Sequence, residues 1–136
     1  MIFEVTIPGP PRPKARPRQG RGHWYDPSAK DEEAVAWYFA RHKGEFLEGD
    51  VRVDTFFYVV PRSRADEDNL RKLVLDALQR IGVVNNDRQV VGGLCWREWA
   101  VGGDGARSVV RIGRPSDPWE EHVVPDGLLD RLSPGS

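Results

Sequence analysis

Cysteine is almost missing from this chain of 136 residues; Cys95 stands alone. That excludes an intramolecular disulfide framework and any zinc site built from several cysteines, and it makes a reducing, cytoplasmic setting the expectation. A lone thiol of this kind is expected to be a small buried side chain on a strand. Long apolar runs are missing as well. Nothing approaches the roughly 18 apolar residues in a row of a membrane span, and no basic-then-apolar leader opens the sequence, so no membrane partner is expected. Net charge is close to nil at −1, which by itself identifies no partner.

The distribution of charge says more than its sum. Residues 115–136 hold five acids (Asp117, Glu120, Glu121, Asp126, Asp130) and one base, Arg131, which leaves residues 1–114 at net +3. Arg12, Lys14, Arg16, Arg18 and Arg21 crowd into residues 10–24, where there is no acid. A basic segment suits a polyanion, most often nucleic acid. A solubilising arm has the same composition, so charge alone leaves both open. The length suits one domain with a core that needs no covalent staples.

Along the chain, IFEVTI (2–7) alternates like a strand. Five prolines, at 8, 10, 11, 13 and 17, forbid a helix in the following segment and favour an extended loop. From Ser28, a candidate N-cap, SAKDEEAVAWYFARHKG reads as a helix ended by Gly44, with Ala34, Trp37, Tyr38 and Arg41 at helical spacing. VRVDTFFYVV (51–60) is the clearest strand, and a second helix follows it. QVVGGLCWREWAV (89–101) reads as a strand bent near Gly92-Gly93, GGDG (102–105) as a turn, and ARSVVRIGR (106–114) as a final strand. The order β-α-β-α-β-β predicts an α+β domain over 1–114, with helices packed on one face of a mixed sheet. Residues 115–136, broken by Pro115, Pro118, Pro125 and Pro134, form an appended acidic tail. Its Trp119, Val123, Val124, Leu128, Leu129 and Leu132 are expected to pack on the domain or on a partner subunit.

The second helix carries the chemistry. In RADEDNLRKLVLDAL (64–78), Leu70, Leu73, Val74, Ala77, Leu78 and Ile81 follow the i, i+3, i+4, i+7 pattern of a core-facing helix. At about 100° per residue, with Asp68 at zero, Lys72 falls near 40°, Asp76 near 80° and Asn69 near 100°, opposite the apolar arc. Asp66 and Glu67 stand at or before the first turn. Such acids also suit a cap and the helix dipole, and Asp68–Lys72 and Lys72–Asp76 have the spacing of i, i+4 ion pairs.

Beyond Gly82, VVNNDRQVV (83–91) places Asp87 where the chain turns into the next strand. A strand running back along the helix would carry Asp87 toward Asp66 and Asp68. Three carboxylates around one point repel unless a cation sits among them, and Mg²⁺ prefers such oxygen ligands. Lys72 beside them would offer positive charge to a phosphodiester. Asp87 alone is equally good turn chemistry.

DEDNLRKLVLDALQRIGVVNNDRQVV resembles the RusA family of Holliday junction resolvases, with its D-x-D-N-x-x-K-x-x-x-D-A-L helix, a glycine, and an aspartate before Q-[VI]-V. IPGPPRPKARPR with WYDP behind it is similar to the start of phage and prophage members. The resemblance implies a homodimeric endodeoxyribonuclease that nicks four-way DNA junctions in paired symmetric cuts during recombination and repair. It implies Mg²⁺ as cofactor, with Mn²⁺ as a substitute, held by Asp66, Asp68 and Asp87, and a catalytic role for Lys72. Asn69 and Asp76 match motif positions and are expected behind the metal ligands. Lys14, Arg16 and Arg18 are expected along backbone phosphates. Many members carry Asp-Asp where this chain has Asn86-Asp87. A nuclease for other branched or flapped DNA, or a non-catalytic DNA-binding protein on the same fold, are the alternatives.

Overall fold

The structure is a computed structural model and describes residues 1–15, 18–20, 23–25, 27–61, 63, 65–101 and 105–117. Four strands form a mixed sheet in the order β1-β6-β4-β5: β1 (Phe3–Pro8), β4 (Arg52–Val59), β5 (Cys95–Trp99) and β6 (Arg107–Gly113). A separate two-stranded sheet pairs β2 (Arg18–Gly20) with β3 (His23–Tyr25). The two α-helices are α1 (Ala29–Trp37) and α2 (Glu67–Arg80). This is the α+β arrangement that the element order predicts, with β2 and β3 added inside the proline-rich segment expected to be wholly extended.

β4 is central and its sequence says why. It is buried on both faces along almost its whole length, with Val53, Phe56, Phe57 and Val59 as its apolar side chains and Arg52, Asp54 and Thr55 buried among them. β6 flanks it antiparallel, with Val53 opposite Ile112 and Thr55 opposite Val110. β5 flanks it parallel, with Thr55 opposite Cys95 and Val59 opposite Trp99. Joining two parallel neighbours requires a crossover, and α2 is that crossover. Helix α2 therefore runs antiparallel to β4 and β5.

The core lies between the sheet and the two helices. Leu70, Leu73, Val74, Ala77 and Leu78 of α2 are buried as the period predicts, and Leu70, Val74 and Leu78 share one cluster with Phe3, Ile7, Val53, Phe57, Val59, Val110 and Ile112. α1 differs from expectation. It stops at Trp37, and a short 3₁₀ turn, Ala40–His42, replaces the remaining helix. Ala36 and Phe39 are the buried residues, and Trp37 is 70% exposed. Phe39 supplies the core contact from the turn, its ring 6.4 Å from that of Phe3.

The expected strand 89–101 is shorter too. Val90 makes one parallel bridge to Val51, and pairing resumes only at Cys95. Gly92 and Gly93 both take positive φ between these points, and a Cβ on Gly93 would collide with the Val53 carbonyl. The bend thus falls where Gly92-Gly93 predicts it. The GGDG turn lies largely outside the described residues, as does the tail beyond Asp117. Asp117 itself is tied down, its carboxylate 2.9 Å from the N-terminal amine and accepting from Arg114 N–H at 2.8 Å. Those two bonds hold its carboxyl below the usual carboxylate range. Among the described residues no helix is long and apolar enough to cross a membrane.

Candidate active site

Asp66 begins α2 as its N-cap, with extended backbone (φ −74°, ψ 135°), and its Oδ1 accepts from Asp68 N–H at 2.8 Å. One carboxylate oxygen is thereby committed to the cap. Asp66, Glu67, Asp68, Asn69 and Lys72 are all exposed. Among the described residues Asp66, Asp68 and Lys72 enter no ion pair, so the Asp68–Lys72 and Lys72–Asp76 pairs that the i, i+4 spacing allows are not made. Two carboxylates and an ammonium therefore stand on one helix end, facing solvent and uncommitted to one another.

The strands hold this end from beneath. Cys95 directs its thiol at the Glu67 carbonyl, 3.6 Å away. Burial pushes the Cys95 thiol up, so it stays protonated and unreactive at neutral pH. Arg97 donates to the Ala65 carbonyl, and its Nε lies 3.7 Å from Glu67 Oε1. Arg71 points into the sheet and donates to the carbonyls of Val53 at 2.6 Å and Gly92 at 3.2 Å. Burial lowers its pKa, and the carboxylates of Asp54 and Asp68 oppose that shift. Arg71 and Arg97 were not expected at the site. Both lie in segments dominated by apolar pattern, where a single arginine is easily taken for solvated surface.

Asp87 is not with the other two aspartates. It opens a 3₁₀ turn, Asp87–Gln89, whose Gln89 carbonyl accepts from Val51 N–H at 2.9 Å. That is the start of β4, whereas Glu67 lies over Cys95, the partner of Thr55. Val51 and Thr55 are separated by about 13 Å of strand, so Asp87 and Asp66 lie toward opposite ends of α2. Two oxygens sharing Mg²⁺ must each come within about 2.1 Å of it. Among the described residues no group of three or more His, Cys, Asp or Glu side chains is placed to hold a metal ion. Asn86 takes the capping role in this turn, its Oδ1 accepting from Arg88 N–H at 3.0 Å. Asparagine and aspartate cap equally well, so the departure from Asp-Asp leaves the local structure intact.

The basic arm also departs from expectation. Lys14 does not extend toward solvent; its Nζ lies 2.9 Å from Glu32 Oε2 and 3.3 Å from Asp76 Oδ2, and its side chain is 13% exposed. Asp76 is thus a partner of the arm rather than support behind Asp66 and Asp68. Asn69 likewise meets the arm, its backbone carbonyl accepting from Lys14 N–H at 2.9 Å. Arg16 lies outside the described residues. Arg18 starts β2, and its side chain lies outside the description.

This architecture has a counterpart. The family profile described as Endodeoxyribonuclease RusA matches residues 8–113, from the end of β1 to the end of β6. The matched span contains the whole of α2, the arm that crosses it and the turn at Asp87. No curated protein matches the chain. With well over half of its length under the profile, this chain belongs to the RusA endodeoxyribonuclease family.

Proposed function

We propose that this protein is a divalent-metal-dependent endonuclease that resolves four-way DNA junctions by paired symmetric nicks, acting as a homodimer. The observation that carries the reading is the exposed Asp66/Asp68 pair with Lys72 one turn on, free of ion pairs among the described residues. A protein that only bound DNA would gain nothing from two free carboxylates turned toward phosphate.

The donor chemistry fits Mg²⁺ or Mn²⁺. Asp66, through the oxygen not used in the cap, and Asp68 are hard, solvent-facing donors. Each chain holds only part of the family's set, because Asp87 stands toward the far end of α2. The third carboxylate of a site therefore comes from a second copy. A two-fold axis that sets the two α2 helices side by side and antiparallel brings one copy's Asp87 end to the other's Asp66 end. When bound, the cation supplies Lewis acidity for water and phosphate at neutral pH. Lys72 places its ammonium against the phosphate and offsets charge that grows during displacement. Asn69 and the arm lie on the same side of α2, so the phosphate backbone runs along this stripe. Contacts of this kind position DNA without reading its sequence.

The test is cleavage of a synthetic four-way junction with Mg²⁺ or with chelator, beside linear duplex and flap substrates. Paired nicks at symmetric positions in the junction, lost with chelator, are the expected result. Stronger cleavage of flaps would move the substrate to other branched DNA. A lack of metal-dependent cleavage on every substrate would sink the reading.

A further inference from the structure

The arm meets the helices through more than one bond. Arg12 Nε lies 3.5 Å from Asp31 Oδ1. Lys14 N–H donates to the Asn69 carbonyl, and Ala15 N–H donates to Ser28 Oγ at 2.6 Å. Ser28 precedes α1, but its hydroxyl makes no helix cap and serves the arm instead. Lys14 Nζ then closes the junction of arm, α1 and α2 through Glu32 and Asp76. Glu32 is held from the other side by Arg80, 3.8 Å away.

The placement is directional. Asn69 directly follows Asp68, and Asn69, Lys72 and Asp76 share one stripe of α2. The arm crosses α2 along that stripe, on the face that carries the acid pair. Pro10, Pro11 and Pro13 stiffen the chain that leads to residue 14. Fixing residue 14 therefore sets the path along which the chain enters the basic stretch beyond it.

We propose that Lys14 is a positioning residue, which with Glu32 and Asp76 anchors the basic arm to α1 and α2 beside the candidate active site. Two acids therefore favour the binding of branched DNA, although each repels phosphate by its own charge. The motif aspartate Asp76 acquires a role that does not touch metal. This inference rests on the proposed junction-cleaving function.

The sign of one substitution tests it. Simple Coulomb repulsion predicts that Glu32→Gln tightens binding to a polyanion. Positioning predicts the reverse, a loss of junction affinity on the order of fivefold, as for one ordinary net hydrogen bond. The single-turnover rate at saturating junction stays within about twofold of wild type, because the acid pair and Lys72 are untouched. A merely structural lesion would instead lower the active fraction and leave affinity alone. Lys14→Arg, which can still reach both acids, retains affinity that Lys14→Met loses. Tryptic nicking within residues 14–21 of the DNA-free protein supplies a second readout, and Glu32→Gln accelerates it severalfold. Unchanged or tighter junction affinity in Glu32→Gln overturns the inference. If wild-type protein binds no junction, the functional reading fails by itself, and the nicking rates then decide the anchor: equal rates overturn it.

Discussion

The two ends of α2 are built to opposite specifications. At the C-terminal end the chain is sunk in the core. Leu78, Val83 and Val84 are buried, Gly82 turns with φ 78°, and Val83 N–H bonds back to the Leu78 carbonyl at 3.0 Å. At the N-terminal end four consecutive polar residues, Asp66 to Asn69, face solvent, and the helix is held from below by Arg71, Arg97 and Cys95 and from the arm by the Lys14 N–H bond to Asn69. The buried end supplies stability and the exposed end holds charge where a ligand can use it. Uncompensated carboxylates are costly in a core, so a fold that needs them free must put them at an edge.

The sharpest way to break this comparison is at Asp68. Asp68→Asn should slow junction cleavage on the order of 10²–10³-fold while leaving junction affinity equal or tighter, because one repulsive charge is gone. Single-turnover rates and equilibrium binding measured on one preparation check both halves; cleavage within a few-fold of wild type would remove Asp68 from the site. A mixing experiment sharpens the role of Asp87. If a site combines Asp66 and Asp68 of one copy with Asp87 of the other, a mixed dimer of Asp68→Asn and Asp87→Asn regains one intact site. It should nick junctions that neither variant cuts alone. Continued inactivity in a verified mixed dimer would place each set within one chain.

At the opposite end, truncation should damage folding rather than chemistry. Leu78 is fully buried, and Leu78→Ala should cost about 2–5 kcal/mol by lost transfer energy and the cavity left behind. Denaturant melts should record the loss, while the rate per folded molecule stays near wild type. Lys72→Ala should do the converse. It should cost ~10²-fold in single-turnover rate with almost no change in melting, since Lys72 makes no ion pair among the described residues. A lowered melting point with an unchanged rate would return Lys72 to the role of a surface charge.

What was legible in the sequence follows the same division. The buried side of α2 was readable because burial imposes a period, and Leu70, Leu73, Val74, Ala77 and Leu78 obey it. The stripe of Asp68, Asn69, Lys72 and Asp76 was readable as its complement. Asp87 would reach Asp66 only if the returning strand carried it there, but it precedes that strand. In a parallel β4-α2-β5 unit the residue before the strand lies by the C-terminal end of the helix, a consequence of topology rather than of local pattern. Lys14 was legible only as a charge, because its partners Glu32 and Asp76 lie on two different helices. α1 misled for another reason: Trp37 and Tyr38 carry the apolar bulk, yet the core takes Ala36 and Phe39.

The smallest expected effect separates two roles of one residue. Asp66 both caps α2 through Oδ1 and belongs to the acid pair. Asparagine caps as well as aspartate, and alanine does not. Asp66→Ala should therefore lose about 1 kcal/mol of stability, a fall of roughly 3–5 °C in melting temperature for a chain of this size. Asp66→Asn should melt with wild type. Both variants should lose cleavage, because neither supplies a second carboxylate beside Asp68. The pair of melts thus isolates the hydrogen bond, and the pair of rates isolates the charge. If Asp66→Asn instead melts with Asp66→Ala, the carboxylate stabilises α2 through its charge at the positive end of the helix dipole. A salt titration of the wild-type melt would then show the same loss, since that interaction is screened and the capping hydrogen bond is not.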